Sequence, residues 1–210
     1  MTERSLSRFC RSFWVPALLL ALPLTACGED DLTGPTAHEG TLEALIQDRT
    51  PAESPAAVMG VDGQGHNVEG EFRGDLRFQV HVDGDWIDLA GMTEVTASTE
   101  LQSGERRSAA TAQVEAQTFE RARVVVTNAE TQLEAGSVIG TEIIDALVSL
   151  SIGGGGELVV ELSAPLTVEA DATTQVVLEL NSRGWLTGSS AEAGAVSATA
   201  FETAAELWVD

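Results

Sequence analysis

The stretch Leu76-Arg77-Phe78-Gln79-Val80-His81-Val82-Asp83-Gly84-Asp85-Trp86-Ile87-Asp88-Leu89 decides the fold. Leu76, Phe78, Val80 and Val82 alternate with Arg77, Gln79 and His81, and residues two apart on a strand share a face. Asp83-Gly84 interrupts the alternation. A two-residue type I′ turn needs positive φ at both positions, and Asp-Gly supplies it. Counting outward from that turn pairs Val80 with Ile87 and Phe78 with Leu89 on an apolar face. His81 with Trp86 and Gln79 with Asp88 fall on the other, mixed face. A sheet with one apolar face needs a second layer over it, as in a sandwich.

The same period of two recurs on both sides of the hairpin. Upstream, the alternation opens at Thr41–Ile46, and residues 47–57, with Pro51 and Pro55, read as a loop. Downstream, strands are expected over Phe119–Thr127, Glu157–Leu162, Leu166–Ala170, Gln175–Leu180 and Ala204–Val209. In the fourth of these Val176, Leu178 and Leu180 point inward and Glu179 outward. Thr141–Ile152 fits either a buried strand or a short helix. Gly153-Gly154-Gly155-Gly156 reads as a flexible hairpin loop. Many short strands with turns between them, and little helical periodicity, predict an all-β fold. The expected architecture is one antiparallel β-sandwich of Ig-like or Greek-key type over residues 40–210.

The amino terminus carries a different pattern. Arg4, Arg8 and Arg11 precede the uncharged run Val15-Pro16-Ala17-Leu18-Leu19-Leu20-Ala21-Leu22-Pro23-Leu24. This is the layout of a secretory signal peptide. The run is about half the length a spanning helix needs. Leu24-Thr25-Ala26-Cys27 follows directly and resembles the lipobox of bacterial lipoproteins. The resemblance implies cleavage between Ala26 and Cys27, with acyl chains such as palmitate carried by Cys27. Residues 1–26 are then a signal peptide. Residues 27–39, with Glu29, Asp30 and Asp31, are an acidic tether poor in large apolar side chains. The expected partner at this end is the lipid bilayer.

The chain has 210 residues, 33 acids and 11 basic residues, for a net charge of −22. Every basic residue is an arginine, and lysine and tyrosine are absent. Removing Arg4, Arg8, Arg11 and Glu3 would take the formal charge to about −24. Phosphate backbones are bound by basic residues, so nucleic acid is excluded as a partner. Docking of the protein body onto anionic lipid is disfavoured for the same reason. Cys10 would leave with the signal and Cys27 would be acylated, so the folded region has no disulfide.

The order of the strands resembles a family of bacterial lipoproteins with a β-sandwich domain of unknown function. The matching features are the strand after Gly40, the Asp83-Gly84-Asp85-Trp86 hairpin, the Phe119–Val126 strand, and Pro165–Thr174 leading into Val176–Leu180. The polar segment 60–75 and the four glycines depart from that pattern. The resemblance implies a fold and no activity.

Few residues offer chemistry. The strained Gly-x-Ser-x-Gly elbow is absent, and Gly136-Ser137-Val138-Ile139-Gly140 has the wrong spacing. Only His38, His66 and His81 could serve as a base, and none has the close second ligand of a zinc site. Asp83, Asp85 and Asp88 crowd one turn, and carboxylates suit calcium. The full calcium-loop pattern is missing. The four glycines lack the Lys-Ser or Lys-Thr of a phosphate loop. Trp86 and Trp185, both beside turns, are the candidates for exposed rings that a sugar could stack on. No catalytic or cofactor-binding residue and no cofactor is assigned. The expectation is a lipid-anchored protein of the cell envelope, outer membrane favoured, acting as a non-enzymatic binding or structural module. The alternatives are a calcium- or carbohydrate-dependent adhesion module and a hydrolase assembled from scattered residues.

Overall fold

The computed structural model describes residues 38–50 and 67–210. The signal peptide, Ala26, Cys27, the tether up to residue 37, and His66 lie outside the described residues. The strands are β1 (Glu39–Asp48), β2 (Gly70–Val82), β3 (Asp85–Asp88), β4 (Val95–Glu100), β5 (Arg107–Glu115), β6 (Thr118–Phe119), β7 (Ala122–Leu133) and β8 (Val138–Ile139). There follow β9 (Glu142–Ile143), β10 (Val148–Ile152), β11 (Leu158–Glu161), β12 (Leu166–Thr167) and β13 (Thr173–Leu180). Three short helices come next, α1 (Ser182–Trp185), α2 (Gly188–Ala193) and α3 (Ala198–Ala204), with β14 (Ala195–Val196) between the last two. The final strand is β15 (Glu206–Val209).

Two main sheets make an all-β, sandwich-like domain. One has the order β15-β13-β1-β5. The other runs β14-β10-β7-β2-β3, with β11 also on β7 and β4 also on β2. The sheets are mixed, because β1 and β13 run parallel from Thr41–Thr173 to Asp48–Leu180. The remaining pairs of the first sheet are antiparallel. Inward side chains of both sheets form one core, including Leu42 and Ile46 of β1, Phe72, Leu76 and Phe78 of β2, and Val124 and Val126 of β7.

The hairpin forms as its sequence requires. Val80 pairs with Ile87, His81 with Trp86 and Gln79 with Asp88. The Leu89 N–H donates to the Phe78 carbonyl at 2.9 Å. Asp83 and Gly84 take φ of 51° and 97°. Ile87 differs from the expectation of a buried face, since it is 48% exposed. It sits on the four-residue strand β3, which has no strand on its far side among the described residues.

Three other segments depart from the sequence reading, and one left open between strand and helix is resolved as strand. Gln47 and Asp48 continue β1 and pair with Glu179 and Leu180, so the loop starts later than the prolines suggested. Thr141–Ile152 holds β9, which pairs with β8 just upstream, and the strand β10. The four glycines do not turn a hairpin. β10 pairs with β7 at Glu130–Leu133 and β11 pairs with it at Arg123–Val126, both antiparallel. The chain therefore leaves one edge of β7, bulges, and rejoins the same edge. Gly153, Gly154 and Gly155 all take positive φ, which favours glycine at each. The segment 182–204 is helical where none was expected, and α3, its longest helix, has seven residues.

Candidate functional site

The outer face of the larger sheet is set by alternation along β2, β3, β7 and β11. Phe78, Val80, Ala122, Val124, Leu158 and Val160 point into the core. Arg77, Gln79, His81, Arg121, Arg123, Val159 and Glu161 therefore point the other way. The register places Gln79 opposite Arg123 and Arg77 opposite Val125. Trp86 and Asp88 face the same side from β3, beside His81 and Gln79.

Trp86 is the centre of this face. The Arg123 guanidinium carbon lies 4.0 Å from its ring centroid and that of Arg121 lies 4.9 Å away. His81 meets the ring edge-on at 5.2 Å and 68°. Each cation–ring contact contributes about 0.5–2 kcal/mol, depending on how dry it is. Next to the ring runs a row of polar contacts across three strands. Arg123 Nε donates to Gln79 Oε1 at 2.7 Å, and Gln79 Nε2 donates to Asp88 Oδ1 at 2.6 Å. Gln79 is buried. Arg121 pairs with Glu161 at 2.9 Å and Arg77 with Glu157 at 2.7 Å.

The calcium candidates are drawn elsewhere. Asp88 is engaged by Gln79 and lies 3.8 Å from Arg77, while Asp83 and Asp85 are exposed around the turn. Among the described residues, no group of three or more His, Cys, Asp or Glu side chains could hold a metal ion. His38 stands exposed at the start of β1, and His81 packs on Trp86. The two proposed sugar platforms are both occupied. Trp86 lies under two guanidiniums, and Trp185 is 1% exposed, packed 5.9 Å from Phe201. Trp185 ends α1 and is buried against Phe201 of α3, and those helices were not legible.

Sequence reasoning missed a buried carboxylate. Asp48 is fully buried at the end of β1. Its carboxylate accepts from Gln102 N at 2.6 Å, Ser182 N at 3.0 Å and Ser182 Oγ at 2.5 Å. Burial pushes its pKa up, and these donors hold it partly back. The arrangement ties β1 to the β4–β5 turn and to α1, and all of its oxygens are engaged in structure. The helical segment also holds two hollows, of about 240 and 520 Å³, lined only by small and hydroxyl side chains together with Asn181 and Trp185.

Fold and face together define a sandwich-like all-β domain that presents an arginine- and tryptophan-bearing sheet surface. Against known proteins, no family model, no curated protein and no solved structure matches the chain.

Proposed function

We propose that this protein is a lipid-anchored component of the cell envelope, displaying its sandwich as a non-enzymatic binding module on the outer membrane. One observation carries the reading: Leu24-Thr25-Ala26-Cys27 stands directly after a basic start and an uncharged ten-residue run. Residues 28–38 between that cysteine and β1 reach about 35–40 Å when extended, enough to hold the domain clear of headgroups. Two acyl chains anchor stably where one does not. The Trp86 face suits recognition, because its ring and the Arg123 guanidinium are held in fixed positions by their neighbours.

The test is fatty-acid labelling of bacteria producing the wild type or Cys27→Ala. The wild type takes up label, sediments with membranes and begins at residue 27. The variant is unlabelled and keeps its leader. A labelled variant, or a lipid-free wild type beginning at Met1, overturns the reading.

A further inference from the structure

We infer that the Arg123–Trp86 face is a docking surface for an acidic polypeptide segment, whose Asp or Glu carboxylates would pair with Arg123 and then with Arg121. In a chain with 33 acids and 11 arginines, a carboxylate partner is the ordinary fate of an arginine. Arg49, Arg73, Arg77, Arg106, Arg107 and Arg121 all stand in ion pairs. Arg123 stands in none among the described residues. It donates Nε to Gln79 and lies over Trp86, and no carboxylate among the described residues meets the rest of its guanidinium fork. That fork is already held in place, so little side-chain freedom is lost when a carboxylate binds it.

The neighbouring pairs are exchangeable. Glu161 and Glu157, the partners of Arg121 and Arg77, are 45% and 62% exposed, and exposed pairs contribute little. The acids elsewhere on the chain repel an acidic ligand, but at physiological salt the screening length is about 8 Å. A carboxylate in contact with Arg123 is screened far less. A saccharide acid is the poorer fit, because the ring it would stack on is already beneath two guanidiniums. An acidic peptide needs no ring.

This inference names a partner for the binding module proposed above, and it is measured on the lipid-free full chain, so that failure of the anchor and failure of the face are separate results. The probes are a glutamate-rich decapeptide, its glutamine counterpart and an oligogalacturonate, titrated at physiological salt. The wild type should bind the glutamate peptide saturably and neither of the others. Arg123→Gln should weaken binding about tenfold or more, the usual scale for losing a charge-assisted contact. Arg107→Gln, on the other sheet, should leave it unchanged. Glu161→Gln frees Arg121 and should tighten binding severalfold, a gain that misfolding cannot imitate. Absence of saturable peptide binding, equal binding by Arg123→Gln with unchanged binding by Glu161→Gln, or preference for the oligogalacturonate would each overturn it.

Discussion

Asp48 shows how one side chain can set a pH response. A carboxyl whose pKa is raised on folding contributes stability that is fully present below its unfolded value of 3.8 and is lost as pH rises through the folded value. Glu71 and Asp75 act in the opposite sense. Hydrogen bonding to Arg73 lowers the first, and hydrogen bonding to Asn128 and Thr96 lowers the second. Their contributions are present above the ordinary carboxylate range and lost as pH falls through the folded values. Removing a donor to the buried charge isolates the Asp48 effect. Ser182→Ala should cost about 1.5–3 kcal/mol at neutral pH, the range for a hydrogen bond to a charged group. The cost should shrink below pH 3.8, where Asp48 is neutral in both states. Urea unfolding at the two pH values checks this, and an equal cost at both would exclude a charged Asp48 as the cause.

At the scale of elements, the glycine bulge between β10 and β11 makes a graded prediction. A residue other than glycine in the left-handed region costs about 1–2 kcal/mol. Gly154 has φ of 64° and open space around it, so Gly154→Ala should cost that strain alone. Gly153 has φ of 67°, and a Cβ there would lie 2.6 Å from Leu158 Cδ2. Leu158 is fully buried, so Gly153→Ala should lower the melting temperature further than Gly154→Ala. A reversed order in thermal melts would mean that the bulge is not built this way. These elements also divide what a sequence can reveal from what it cannot. The hairpin was legible because its alternation and its Asp-Gly turn are local. The glycine turn was legible as a break, but not as a bulge, because only the shared register on β7 distinguishes the two. Helices of four to seven residues complete at most two turns, too few to show a period. The Arg123 face was hidden for a related reason. Arg121, just before β7, and Arg123 on it sit two residues apart, but their meeting with Trp86 depends on β2 lying between β7 and β3.

The molecule as a whole is governed by its charge and its sheet order. With a net charge of −22, self-repulsion opposes compactness and salt screens it. Raising sodium chloride from about 0.01 to 0.5 M, where the screening length falls from about 30 Å to below 10 Å, should raise the melting temperature at neutral pH. A fall would mean that the surface ion pairs outweigh the repulsion. All-β topologies dominated by distant pairings fold slowly, because the chain must close long loops before contacts reward it. The parallel ladder between β1 and β13 joins residues 132 positions apart, Thr41 to Thr173 at one end. A polypeptide that emerges amino end first therefore leaves β1, among the described strands, with β5 as its one sheet neighbour until β13 is made. The first of the described strands to be made is therefore among the last to be paired on both of its edges.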